Sequence, residues 1–235
     1  MDPMVAQTWA ERAQAELGAA ARFRDLSRRL RDADAHPRIL ELVERAEREE
    51  DEHALLCAEM ARTLGHQTGF ATPTDIVAQP TYSWSRLTDP RDRLLLDVVL
   101  MSCITESFNA SLLNTLYAQG KGTEAGRLIH RILKDEVKHA QIGWAYLADE
   151  HSRRDCGFVS AYLGEMLDGS VRDSLFGPVD TPDDDTAYGF GVMPRQQRRA
   201  HFEAVLQEVI IPGFGHFGID TEGVHHWLAE KTADS

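Results

Sequence analysis

Glu50-Asp51-Glu52-His53 and Glu136-Val137-Lys138-His139 repeat one arrangement, a glutamate and a histidine three residues apart, within a 235-residue chain. On a helix this spacing puts both side chains on one face. Glu16 and Glu106 fall at matching depths of two further helical stretches. Without a cation, four buried carboxylates and two imidazoles would cost many kcal/mol or force large pKa shifts. Two divalent cations balance those charges. The pattern predicts a dinuclear metal site with Glu16, Glu50, His53, Glu106, Glu136 and His139 as ligands. Mixed carboxylate and imidazole donors without thiolate suit iron, and manganese or a mixed manganese–iron pair is also compatible.

Four helices must carry these residues. The first spans residues 3–31, with Trp9, Ala13, Ala20, Phe23, Leu26 and Leu30 as its apolar stripe and Glu16 inside it. Glu11 competes with Glu16 but lies off the stripe. Pro37 opens the second helix at a position where proline is tolerated, and Gly65 ends it. Its seam runs Ile39, Val43, Ala46, Glu50, His53, Cys57, Met60 and Leu64, with Glu49 as a neighbouring alternative to Glu50. Residues 66–90 read as a crossover loop that sets Tyr82 and Trp84 against the helices. Asp89-Pro90 resembles an N-cap followed by proline at the first helical position. The third helix then presents Leu95, Val99, Ser102, Glu106, Asn109, Leu113 and Leu116. After the turn Gly120-Lys121-Gly122, Thr123 caps a fourth helix whose seam is Ile129, Ile132, Glu136, His139, Gly143 and Tyr146. The intervals between the four glutamates are 34, 56 and 30 residues. The outer two suit antiparallel helices of about 25 residues at about 1.5 Å of rise each.

One Glu from each of two helices, and Glu-x-x-His from each of the other two, is the four-helix ferritin-like di-iron pattern. In the order Glu16, Glu50-x-x-His53, Glu106, Glu136-x-x-His139, the chain resembles the ferritin-like di-iron carboxylate superfamily, near bacterioferritins and rubrerythrins in motif layout. Glu16 followed by Ala19, Ala20 and Phe23 resembles the first ligand helix of rubrerythrin-like proteins. The resemblance implies an all-α fold, a ferritin-like four-helix bundle over residues 1–152 with a long crossover. Residues 153–235 would form a C-terminal helical extension packing on the bundle. There, residues 155–168 read as a fifth helix and 169–193 as a flexible acidic loop. A helix from Pro194 to Ile211 is broken by Pro212-Gly213, and a short one lies near Val224–Glu230. The resemblance also gives Asp135 a role as acceptor for the second ring nitrogen of His53, against the plain alternative of a surface charge. The p-aminobenzoate N-oxygenase type of di-iron enzyme carries an extra histidine four residues before the last glutamate ligand, where this chain has Ile132.

Length and charge narrow the use of such a site. A net charge of −13 disfavours nucleic-acid and anionic-membrane partners, which need clustered Lys and Arg. No uninterrupted apolar run approaches a membrane span and the N-terminus has no signal core, so a cytoplasmic protein is expected. Cys57, Cys103 and Cys156 form no Cys-x-x-Cys pair, which fits a reducing compartment and excludes a rubredoxin-type centre. His201, His216, His225 and His226 sit outside the ligand pattern, and Tyr117 and Tyr146 read as packing residues. The resemblance implies a non-haem di-iron oxygenase or oxidase that uses O₂ as co-substrate on a small organic molecule, fed by an external electron donor. A homodimer is compatible with this. The alternatives are a ferroxidase of the iron-storage kind and a rubrerythrin-like peroxidase. Roughly eighty residues beyond the bundle favour a substrate pocket over storage.

Overall fold

In the computed structural model of the protein, residues 3–66, 81–171, 175–176 and 185–233 are described, and every regular element among them is helical. The long helices are α1 (Pro3–Asp32), α2 (Pro37–Thr63), α3 (Pro90–Gln119) and α4 (Glu124–His151). Shorter ones follow: α5 (Leu163–Ser170), α6 (Arg195–Val205), α7 (Ile211–His216) and α8 (Glu222–Ala233). Most of the crossover, residues 67–80, and residues 172–174 and 177–184 of the acidic loop lie outside the described residues.

Local chemistry sets the helix ends. Pro37 is preceded by His36, whose Nδ1 accepts from the Arg38 N–H at 3.2 Å. Asp89 caps α3 by accepting from the Arg91 N–H at 2.8 Å. Thr123 Oγ1 accepts from the Gly126 N–H at 2.9 Å and starts α4. Gly65, at φ 97°, ends α2 in a conformation that disfavours a Cβ.

The contacts group the chain into two compact units. One comprises Met1–Gln79, Leu113–Lys138 and Asp185–Met193; the other comprises Pro80–Leu112, His139–Asp184 and Pro194–Ser235. Helices α3 and α4 contribute to both. In the first unit α1 and α2 are antiparallel. Arg24 meets Glu47 at 2.8 Å and Arg31 meets Glu44 at 2.5 Å, so partner numbers fall along α2 as they rise along α1. Those exposed pairs add little stability. The buried stripe of Trp9, Ala13, Ala20, Phe23 and Leu30, with Ile39, Val43, Ala46 and Cys57 on α2, carries the pair.

In the second unit, the start of α3 is tied to the end of α4. The Glu150 carboxylate is buried and takes a forked contact from Arg91, with Nε and Nη2 each at 2.8 Å, and a third donor from Arg154 Nε at 2.7 Å. Trp84, in the 3-10 turn Ser83–Arg86, is buried, stacks on Tyr82 at 4.3 Å and donates to Asp97 at 2.7 Å. Phe176, Phe202 and Trp227 pack edge to face, and Trp227 Nε1 donates to Asp168 at 2.9 Å.

The structure departs from the sequence reading in four places. Helix α3 is interrupted by a π-helical segment, Val99–Thr105. The expected fifth helix opens as a 3-10 turn, Gly157–Tyr162, and becomes α-helical only at Leu163. Pro212-Gly213 does not break the helix after Pro194. A π-turn over Leu206–Ile210 precedes the proline, and the chain runs on through α7. The wider turn accommodates the proline, which lacks an N–H and crowds the preceding turn. Finally, α3 is long and apolar enough to cross a membrane by length and composition. Its apolar stretch is 67% buried inside the protein, as in a core helix.

Candidate metal centre

Glu16 occupies the buried stripe of α1, and Glu50 and His53 that of α2; Glu136 follows Ile129 and Ile132 on α4. All four belong to the first unit. The helical repeat brings each side chain inward with its apolar neighbours, so the polar heads meet where no water reaches them. One ligand atom from each of Glu16, Glu50, His53 and Glu136 lies within 4.8 Å of the others. Glu50 is fully buried, and the His53 and Glu136 side chains are 2% and 1% exposed. Glu11 and Glu49 are not in the cluster. Glu11 accepts from Gln7 at the surface, and Glu49 pairs with Arg45 at 2.5 Å.

The two faces of the His53 ring are used differently. Nδ1 lies 3.5 Å from Glu50 Oε2 and 3.2 Å from Glu136 Oε1. Nε2 points the other way, 3.5 Å from Asp135 Oδ2. The second oxygen of Asp135 takes Lys138 at 2.9 Å, with Arg45 at 3.9 Å. Asp135 thus links the buried imidazole to a cationic surface.

Crowded carboxylates shift the proton equilibria. Burial, followed by the charges of Glu50 and Glu136, holds the Glu16 carboxyl well above its ordinary range and favours a proton shared with Glu50. For His53, burial opposes the charge, but the hydrogen bonds and charges of Glu136 and Glu50 outweigh it and push the imidazolium up to about 11. In the metal-free protein, protons therefore hold the positive charge that a cation would supply. Three carboxylates and an imidazole, buried and convergent, fit a hard or borderline divalent metal.

Glu106 and His139 belong to the second unit. Each is 1% exposed. His139 is one turn beyond Glu136 on the unbroken α4, and Asn109 donates to Glu106 at 3.4 Å. Glu106 follows the π segment directly, and its N–H reaches back to the Met101 carbonyl. At Gly143, one turn beyond His139, a Cβ would lie 2.6 Å from the Cys103 nitrogen and 2.8 Å from its sulfur. The missing side chain lets α3 and α4 approach closely beside Glu106 and His139. Sequence periodicity showed neither the π segment nor this approach.

The remaining candidates lie elsewhere. His201 is 6.0 Å from the Phe108 ring, His216 packs on Phe217, and His225 and His226 are exposed. None joins a metal-capable cluster among the described residues. Tyr117 stacks on His130 at 4.3 Å, and Tyr146 is buried in the core. Cys57, Cys103 and Cys156 are free and buried. A surface depression of about 480 Å³ on the charged outer side of α1, lined by Arg24, Arg28, Arg31 and Glu47, is remote from the buried cluster in character, being open and ion-paired.

No protein-family model matches the chain, and no curated protein matches it. Among solved structures, the chain is similar to one titled protein 19 with aldehyde deformylating oxidase activity, from Synechococcus. The TM-score is 0.60 at 18% identity, over 98% of this chain and 100% of the other. The shared fold is the ferritin-like helical bundle.

Proposed function

We propose that this protein is a non-haem di-iron oxygenase or oxidase that uses O₂ to oxidise a small organic substrate. The observation that carries the reading is the buried convergence of Glu16, Glu50, His53 and Glu136. Glu106 and His139 complete the ligand set, supported by their near-total burial and, for His139, by its place one turn beyond Glu136. Two ferrous ions held there would supply the electrons for reducing O₂; manganese in one or both positions is the variant to test. The protein's own groups do the rest. Glu16, whose charge burial disfavours, would give up its proton as metal enters; Asp135, 3.5 Å from His53 Nε2, would orient the ring, and the apolar stripes around them exclude water.

Likeness to a protein with aldehyde deformylating oxidase activity over nearly the whole chain supports an oxygenase over iron storage. An external electron donor is part of the proposal, as is a cytoplasmic location, which three free buried thiols support. Nucleic acid and membrane are not proposed as partners, and a homodimer is the assembly to look for. The test is elemental analysis of reconstituted protein with single-turnover O₂ uptake. We expect about two metal ions per chain, one O₂ consumed per reduced pair, and both lost in the Glu50→Ala/Glu136→Ala double variant. Metal-free wild-type protein after reconstitution would overturn the reading.

A further inference from the structure

Arg12 lies one turn before Glu16 on α1, on the side of the helix that borders the buried stripe. Its guanidinium stacks over Trp9, 4.3 Å from the ring centroid, and Nη2 donates to the Gly191 carbonyl at 3.2 Å. Trp9 donates in turn to the Phe190 carbonyl at 2.8 Å. Gly191, at φ 74°, allows that segment to seat: a Cβ there would lie 2.6 Å from Ile129 Cδ1 and 2.8 Å from Trp9 Cζ2. Stacked on one face and bonded at one corner, the guanidinium has little freedom to turn.

Its other corner is the unexplained part. Nη1 is shielded from solvent and has no acceptor among the described residues. A solvent-shielded charged donor without an acceptor is a costly arrangement that calls for a partner. The Arg12 charge also reaches the Cys57 thiol, which the charges of Glu16, Glu136 and Glu50 reach as well. Cys57 is buried one turn beyond His53.

We propose that Arg12 Nη1 anchors the substrate, and that the substrate is a small carboxylic acid. This deepens the oxygenase reading and rests on it. A carboxylate is favoured over a phosphate because the guanidinium has only this one corner to offer. Nη1 carries two N–H donors, fewer than the three oxygens of a phosphate require.

Titration calorimetry with hexanoate and benzoate, against hexanamide and benzamide, tests this on metal-free and on zinc-loaded protein. The metal-free arm removes direct ligation of the acid by metal. We expect the acids to bind about 10–100-fold more tightly than the amides in both forms. Arg12→Gln should abolish that preference while elemental analysis shows unchanged metal uptake. Arg12→Lys, which keeps the charge but not the planar fork, should retain part of it and serves if the neutral variant does not fold. Equal binding of acid and amide by metal-free wild type would overturn the proposal. So would a preference that survives Arg12→Gln, or an Arg12→Gln protein that loses metal but keeps the preference, which would make Arg12 a counter-charge. Failure of wild type to take up metal sinks the oxygenase reading alone, since acid selectivity is read separately.

Discussion

Burial and two neighbouring carboxylates disfavour the charge of Glu16 in the metal-free protein. A carboxyl whose folded pKa is raised contributes stability that is present below its unfolded value, near 4.5, and lost as pH climbs through the folded value. His53 acts in the same direction: its contribution is complete below 6.5 and lost toward about 11. Metal-free protein should therefore melt at progressively lower temperature as pH rises from 6 to 9, and metal-loaded protein should lose less over that range. In the metal-free form Glu16→Gln should flatten part of this slope and raise the melting temperature at pH 8. The same substitution should weaken metal uptake. A Glu16→Gln protein with the wild-type slope would show that Glu16 stays ionised. Asp135→Ala should keep the fold and lower metal affinity or activity about 10–100-fold, because His53 loses its orienting acceptor. Unchanged metal retention would make Asp135 only an anchor for Lys138 and Arg45. The burial of the six candidate ligands was legible from sequence, since each interrupts an apolar stripe of known period. Arg12 was not, because its partner Gly191 lies 179 residues away and no periodicity links them.

At the scale of elements, the helix ends were legible because they are local events. Pro37, Gly65, Asp89 and Thr123 each act within a few residues of themselves. The π segments were not, because a π-turn costs backbone geometry and survives only where tertiary packing rewards it. Thr105 shows the coupling: its hydroxyl donates to the Leu100 carbonyl at 3.0 Å and meets the Ser170 hydroxyl of α5 at 3.2 Å, just before Glu106. The same holds for the close approach at Gly143. Gly143→Ala should cost about 1–3 kcal/mol by overpacking, since the Cβ would meet α3 backbone that cannot yield cheaply. Glu150→Ala tests the tie between the start of α3 and the end of α4. Removing Glu150 leaves Arg91 and Arg154 40% and 23% exposed rather than buried, so the loss is that of charge-assisted hydrogen bonds, about 1.5–3 kcal/mol. Denaturant unfolding of both variants checks these values, and a change within about 0.5 kcal/mol would assign either position to the ordinary surface class.

For the whole molecule, the question is whether metal is a tool or a cargo. A storage protein must form a hollow shell and pass many ferrous ions through each site. An oxygenase keeps its metals and turns over only with reductant and substrate. The helices after α4 bear on this because they are built, not appended. Trp227 is bonded to Asp168, and Phe176 and Phe202 pack on it. Trp144 presses against Gly213, where a Cβ would lie 2.5 Å from its ring. A likeness that covers 98% of the chain extends through this region as well. We therefore expect a monomer or small oligomer by size-exclusion light scattering. Ferrous titration under air should oxidise about two iron ions per chain and then stall until reductant is supplied. Continued oxidation of added iron far beyond that ratio, with mineral retained by a large assembly, would make the protein a ferroxidase store while leaving the buried carboxylate cluster in place.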